Sequence, residues 1–160
     1  MGMKSTRTGM LKISHHCYDS SCSGTLSTIY KYHFFSHTRC YYCTIWYRAG
    51  VIDLTVEFPE TTINRTSSYL SVPTWDGVPA SPAQLDDGAN FAVAAMRNNG
   101  GNILVHCAHG RGRSTTMMCA CLVKAGLYPN WQEAFEKGIK PGRPVCKLNK
   151  RMRQALTQWQ

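Results

Sequence analysis

The sequence predicts an α/β fold: a single domain with a central, mostly parallel or mixed sheet flanked by helices. Short β-branched runs alternate with segments of helical periodicity from residue 49 onward, which is typical of this class. At 160 residues the chain is long enough for one hydrophobic core and too short for two comfortable ones. A glycine-rich turn also joins one predicted strand directly to a helix.

The predicted strands are short apolar runs between polar segments. They are VIDLTV at 51–56, SYLSV at 68–72 and NILVH at 102–106. Runs of this length that are rich in β-branched residues favour buried strands.

The first two predicted helices have clear ends. Ser81 opens the first with Gln84 completing a capping box, and Gly100-Gly101 stop it. The run STTMMCACLVKA at 114–125 predicts a buried helix that ends at Gly126.

Two further helices follow toward the C-terminus. Residues 130–137 predict a short helix with Asn130 and Glu133 as its capping box. The last helix is amphipathic, with its basic residues outward and these residues inward: Leu148, Met152, Ala155 and Trp159.

Residues 1–48 have a different character from the predicted domain at 49–160. They are rich in Ser, Thr, Tyr, His and Cys and show no sustained period. We expect an atypical segment that is either partly disordered or an incomplete edge of the domain. If the segment holds a strand, TLSTIYKY at 25–32 is the candidate.

The cysteines and histidines of this segment raise the question of zinc: Cys17, Cys22, Cys40, Cys43, His15, His16, His33 and His37. They form no clean tetrad, so unpaired thiols are the better interpretation and we expect no metal. The start, MGMKST, also matches the pattern for acylation at Gly2, although such a pattern is short.

Charge is concentrated near the C-terminus. The net charge is +9, and no acid follows residue 136, while these bases do: Lys137, Lys140, Arg143, Lys147, Lys150, Arg151 and Arg153. Such a field attracts nucleic acid, an anionic membrane or a phosphorylated substrate, or it is simply a solvated helix face.

No run approaches the ~18–20 apolar residues of a membrane-spanning helix, and we see no signal peptide. We therefore expect a cytoplasmic protein with reduced cysteines.

The stretch VHCAHGRGRSTT at 105–116 carries the chemistry. The helix predicted after it has free N–H groups in its first turn, and Gly110 and Gly112 let the preceding loop present more of them to one centre. The result is an anion cradle at a helix N-terminus. Arg113 adds a planar fork suited to two oxygens of one phosphate. The same groups favour the thiolate of Cys107, which predicts a nucleophile beneath a phosphate, with Ser114 donating a hydrogen bond to the sulfur when it leaves.

His106, Cys107, five intervening residues, Arg113 and Ser114 resemble the signature loop of the cysteine-based protein tyrosine phosphatases. The resemblance covers roughly residues 49–160 and implies a phosphatase fold, a phosphocysteine intermediate and no cofactor. It also implies that the loop residues bind the substrate phosphate: Ala108, His109, Gly110, Arg111, Gly112 and Arg113.

Asp76 is the expected general acid. It lies in PTWDG, a loop after a strand and 31 positions before Cys107, whereas Asp53 falls within a strand. This arrangement is similar to the acid loop of the dual-specificity branch, and Arg143-Pro144 followed by Asn149 resembles that branch's closing segment.

The substrate stays open at this point. We find no counterpart of the phosphotyrosine-recognition loop, which implies a shallow pocket and phosphoproteins bearing phosphoserine, phosphothreonine or phosphotyrosine. Arg111 occupies a position that is also basic in phosphoinositide phosphatases, so a phospholipid or another phosphate ester is the alternative, with peripheral contact to an anionic membrane. We expect no nucleic-acid partner. An inactive phosphate-binding module is a second alternative, and a rhodanese-like sulfur transferase fits poorly.

Overall fold

The computed structural model describes residues 12–16, 50–57, 68–99 and 102–160. The elements, in chain order, are β1 (Lys12–His16), β2 (Gly50–Thr55), β3 (Tyr69–Thr74), α1 (Pro82–Asn99), β4 (Asn102–His106), α2 (Arg113–Lys124), α3 (Trp131–Glu133), a π-helical segment (Ala134–Ile139) and α4 (Lys150–Trp159). The alternation of strands and helices confirms the predicted α/β class.

The described strands form one sheet in the order β1-β4-β2-β3, and every pairing in it is parallel. β2 and β4 are the inner strands, with Ile52 of β2 in register with Val105 of β4. β2 is buried along its whole length, as a strand covered on both faces must be. The sequence left open whether the sheet is parallel or mixed, and the described part is parallel.

The core lies between the sheet and helices α1, α2 and α4. α1 buries Leu85, Ala89 and Ala92 on one face, as its periodicity predicts. Its capping box is confirmed, because the Ser81 N–H donates to Gln84 Oε1 at 2.9 Å and the Gln84 N–H donates to Ser81 Oγ at 3.2 Å. None of the described helices is long and apolar enough to cross a membrane.

The helix expected at 130–137 differs from the structure in its length and form. The Glu133 N–H donates to Asn130 Oδ1 at 2.8 Å, so Asn130 caps the helix as predicted. Instead of ending at Lys137, however, the chain continues as the π-helical segment to Ile139. The Lys140 N–H donates to the Phe135 carbonyl at 3.0 Å, five residues back, which is the wide-turn pattern of a π-helix.

The N-terminal segment contributes β1, which pairs with β4. The strand suggested at 25–32 lies outside the described residues, as do the side chains considered for zinc. The described cysteines are all free thiols, as expected: Cys107, Cys119, Cys121 and Cys146. Within the described ranges no three His, Cys, Asp or Glu side chains are grouped to hold a metal ion.

A buried carboxyl group joins three neighbouring strands just before the loop of interest. Asp53 in β2 accepts hydrogen bonds from the Tyr69 hydroxyl of β3 at 2.7 Å and from the Thr55 hydroxyl at 2.7 Å. His106, the last residue of β4, places Nε2 3.4 Å from the same carboxyl group. The residue immediately before Cys107 is thereby tied to the centre of the sheet.

Replacing Tyr69 with phenylalanine should destabilise the fold, because it removes a donor from a buried carboxyl group. We expect Tyr69→Phe to lower the free energy of unfolding by about 1.5 kcal/mol or more, measured by urea denaturation. Tyr128→Phe is the matched control, since the half-buried Tyr128 hydroxyl makes no hydrogen bond to another described residue. Equal effects of the two variants would contradict the role given to Asp53.

Candidate active site

The candidate site lies where β2, β3 and β4 end. Because these strands are parallel, the segments after them meet at one edge of the sheet, the edge where open α/β sheets bind ligands. Glu57 follows β2, Asp76 follows β3, and Cys107 follows β4. The structure therefore brings together the predicted nucleophile, arginine and acid, and adds Glu57, which the sequence analysis did not identify.

The two loop glycines have different roles. Gly110 has a φ of 60°, a left-handed conformation that favours glycine, as the predicted bend requires. Gly112 has a φ of −125°, so it is not left-handed. A Cβ there would lie 2.8 Å from Met152 Cε, so glycine at this position permits the close approach of α4.

The N-terminus of α2 faces the loop without a side-chain cap. Gly112 occupies the N-cap position and supplies no side-chain acceptor. The first N–H groups of a helix have no partner within the helix, and its dipole favours negative charge at this end. The loop and α2 thus have the geometry that the predicted anion-binding site requires.

Cys107 is buried at the start of the loop, and its Sγ lies 3.2 Å from the Ser114 hydroxyl oxygen. The other three described cysteines are poor nucleophiles. Burial raises the pKa of Cys121 to about 12, and burial also raises the pKa of Cys119 and of Cys146. Among the described thiols, Cys107 alone opens the loop, and the Ser114 hydroxyl lies beside its sulfur.

Arg113 is buried to 1% exposure, and its hydrogen bonds to the described residues are all made by one guanidinium nitrogen, NH1. NH1 donates to the Thr74 carbonyl at 2.6 Å and to the Glu57 carboxylate at 3.0 Å. Nε and NH2 are buried and have no hydrogen-bond partner among the described residues. Since buried donors of a charged group are costly to leave unpaired, this free edge indicates a site for an anion with two oxygens.

Asp76 lies at the mouth of the site with a largely exposed side chain. Its Oδ1 is 3.4 Å from Arg113 NH2, which is an ion-pair distance without hydrogen-bond geometry. The loop carrying it is held from both sides: the Thr74 hydroxyl donates to the Leu54 carbonyl at 3.0 Å, and Asn149 Nδ2 donates to the Gly77 carbonyl at 3.0 Å. The predicted acid is therefore placed beside the predicted phosphate clamp.

The Glu57 carboxylate is bonded to the NH1 nitrogen of Arg113. The hydrogen bond and charge of Arg113 lower the pKa of Glu57. The sequence did carry a signal for Glu57. An acidic residue that closely follows a buried parallel strand lies at the same edge of the sheet as Cys107. The Leu54 and Thr74 carbonyl groups could not be identified from the sequence, since every residue has a backbone carbonyl.

The rim of the loop is basic. Arg111 and His109 have exposed side chains, whereas Ala108 is buried. The Lys147 N–H donates to the Arg111 carbonyl at 2.8 Å, and Arg143 Nε donates to the Gly110 carbonyl at 3.2 Å. The basic C-terminal segment is therefore bonded directly to the loop.

A cysteine and an arginine at the two ends of an anion loop, on a parallel α/β sheet, define the class of cysteine-based phosphatases. The family model "Dual specificity phosphatase, catalytic domain" matches residues 49–160, and the chain belongs to this family.

Known proteins resemble the chain in sequence and in fold. It is 43% identical over 68 residues to dual specificity protein phosphatase 15 of Mus musculus, covering 42% of this chain and 28% of that protein. It is 37% identical over 95 residues to dual specificity protein phosphatase 15 of Homo sapiens, covering 58% of this chain and 30% of that protein. The matched part is thus under a third of the length of these relatives.

Solved structures share the fold. The structure of PTPMT1 in complex with PI(5)P has a TM-score of 0.59 and 25% identity, and the match covers 69% of this chain and 74% of that one. The structure of DUSP15 has a TM-score of 0.56 and 28% identity, covering 69% of each chain.

Glu57 should stabilise the fold in a pH-dependent way. Its pKa is lowered in the folded state, so its contribution is present above its ordinary value of 4.5 and is lost as the pH falls through the lowered value. We expect Glu57→Gln to reduce the free energy of unfolding at neutral pH, and the difference from wild type to shrink toward about pH 3.

Urea denaturation across this pH range measures the effect, with Glu136→Gln as control. Glu136 is exposed and pairs with Lys140 Nζ at 3.3 Å on the surface, so its variant should stay within about 0.5 kcal/mol of wild type throughout. A deficit in Glu57→Gln that does not change with pH would contradict the ion pair.

Proposed function

We propose that the chain is a dual-specificity protein phosphatase, a phosphoric monoester hydrolase that acts on phosphoserine, phosphothreonine and phosphotyrosine through a phosphocysteine intermediate. The observation that carries the proposal is the free Nε and NH2 edge of buried Arg113, at the end of the loop that begins with Cys107. The catalytic unit is residues 49–160, and the segment 1–48 precedes it.

Substrate binding uses the loop and the helix end. Two phosphate oxygens accept hydrogen bonds from Arg113 Nε and NH2, and the backbone N–H groups of residues 108–113 bind the phosphate oxygens. Because NH1 is already bonded to Thr74 and Glu57, the guanidinium keeps its orientation when the phosphate enters.

The first chemical step is attack of the Cys107 thiolate on phosphorus. A sulfur–phosphorus bond forms while the bond to the substrate oxygen breaks, and Asp76 gives its proton to that oxygen. Arg113 and the N–H groups stabilise the negative charge on the equatorial oxygens.

The second step hydrolyses the intermediate. Asp76, now a carboxylate, removes a proton from water, and the water oxygen displaces the sulfur from phosphorus. The Ser114 hydroxyl, 3.2 Å from Sγ, donates a hydrogen bond to the departing thiolate. Side chains and backbone N–H groups of the chain supply every role, so the proposed steps need neither a metal nor a cofactor.

The proposed location is the cytoplasm, because the mechanism needs Cys107 as a free thiolate and reducing compartments keep thiols free. Phosphorylated proteins are the proposed partners, in keeping with the names of the curated relatives. Nucleic acid is not among the proposed partners.

A non-protein phosphate ester is the second candidate substrate, with peripheral contact to an anionic membrane. The similar PTPMT1 structure is described as a complex with PI(5)P, and the exposed Arg111 lies at the rim of this chain's loop, where a second anionic group could bind. An inactive phosphate-binding module would use the same loop without turnover.

Hydrolysis of para-nitrophenyl phosphate tests the mechanism. We expect Cys107→Ser to lower kcat by at least about 10³-fold, because a serine hydroxyl lacks thiolate reactivity. Cys121→Ser is the matched control: it makes the same replacement within α2, where the Cys121 thiol lies 4.0 Å from the Gly88 carbonyl in the hydrophobic core, and it should keep near-wild-type activity.

Asp76→Asn in the same assay should lose about 10²-fold in kcat on phenyl phosphate and less on para-nitrophenyl phosphate, whose leaving group hardly needs protonation.

Unchanged turnover in Cys107→Ser would contradict the proposed mechanism. A wild-type protein that binds phosphate analogues without turnover would favour the inactive module.

A comparison of phosphopeptides with soluble phosphoinositides distinguishes a protein phosphatase from a phosphatase of non-protein esters. We expect kcat/KM for phosphopeptides to exceed that for soluble phosphoinositides, with Arg111→Ala changing the two values in similar proportion. Higher kcat/KM on phosphoinositides, together with a selective loss on them in Arg111→Ala, would reverse the substrate assignment.

A further inference from the structure

The largest exposed apolar side chain of the described residues belongs to Trp75. It is 64% exposed, and the other large exposed apolar residues lie between 39% and 48%. An indole of this size is usually packed, since its burial contributes more than that of most side chains. Its exposure next to a catalytic residue suggests contact with a ligand.

The position of Trp75 is fixed by its neighbours. The Thr74 carbonyl accepts the shortest Arg113 hydrogen bond, at 2.6 Å, and Asp76 lies 3.4 Å from the other terminal nitrogen of the same guanidinium. Trp75 is the residue between them. The Val78 N–H donates to the Trp75 carbonyl at 3.0 Å, which closes a turn that carries a second exposed apolar side chain, Val78 at 41%.

The mechanism places the leaving group on this side of the site. The acid must reach the oxygen that leaves, so the substrate atoms bonded to that oxygen lie beside Asp76. Trp75 and Val78 flank Asp76 within a turn, and Asn149 holds the same turn through the Gly77 carbonyl. The atoms beyond the leaving oxygen therefore lie near a turn that carries two exposed apolar side chains.

We propose that Trp75 is a specificity-determining residue that contacts the aromatic ring of phosphotyrosine and makes the enzyme favour aryl over alkyl phosphate esters. Phosphotyrosine carries its phosphate at the end of a rigid ring, so the ring passes the rim when the phosphate reaches the loop. Aromatic pairs gain from such contact beyond simple burial, whereas the short side chain of phosphothreonine offers no ring. The inference rests on the proposed function and refines its substrate class.

The test compares one peptide sequence carrying either phosphotyrosine or phosphothreonine. We expect Trp75→Ala to lower kcat/KM about five- to tenfold for the phosphotyrosine peptide and at most about twofold for the phosphothreonine peptide. Trp75→Phe, which keeps an aromatic face, should restore most of the loss. Leu127→Ala is the control, because Leu127 is 41% exposed beyond the far end of α2 and should leave both values unchanged.

The ratio of kcat/KM for the phosphotyrosine peptide to kcat/KM for the phosphothreonine peptide distinguishes ring recognition by Trp75 from a structural role of Trp75. If Trp75 only held Asp76 in place, Trp75→Ala would harm the phosphothreonine peptide more, because an alkoxide needs protonation more than a phenolate does. That result, or an unchanged ratio, would overturn the inference and leave the proposed function standing. Absence of wild-type turnover on both peptides would overturn both.

Discussion

The guanidinium of Arg113 carries a full charge at 1% exposure, and the rest of the site is arranged around it. A buried charge is costly unless polar groups surround it, and here NH1 is bonded to a strand-end carbonyl and a carboxylate. Those acceptors come from the ends of β2 and β3, while the arginine itself opens the helix after β4. The charge can be held only if three parallel strands end at the same edge, so fold and site depend on one another.

The opposite edge of the guanidinium is bonded less fully. The described residues supply NH1 with acceptors that orient the side chain and lower the pKa of Glu57, whereas Nε and NH2 make no hydrogen bond to them and NH2 has only the ion pair with Asp76 at 3.4 Å. In the proposed mechanism an incoming phosphate completes the set of hydrogen bonds, and the contacts to NH1 have already oriented the buried charge during folding. The site is therefore organised before its ligand arrives.

Most of the fold from residue 50 onward could be predicted from local patterns. β2, β3 and β4 fall on the predicted apolar runs, and the Ser81 capping box is where the sequence placed it. β1 was not predicted, because five residues without alternation carry no periodic signal. The bonds of Arg113 were not predicted either, since Thr74 lies 39 residues away and acts through its backbone. Residue type identified the candidate chemistry, whereas the partners that orient it depend on long-range topology.

The acid loop and the phosphate loop are both bonded to the segment that leads into α4. Asn149 caps α4 by accepting from the Met152 N–H at 2.9 Å and also donates to the Gly77 carbonyl. Two residues earlier, the Lys147 N–H donates to the Arg111 carbonyl. One short stretch thus fixes the proposed acid relative to the proposed phosphate clamp, although neither Lys147 nor Asn149 takes part in the proposed chemistry. Since proton transfer requires the acid and the leaving oxygen to be aligned, the start of this last helix determines the geometry of the site as directly as the loop residues do.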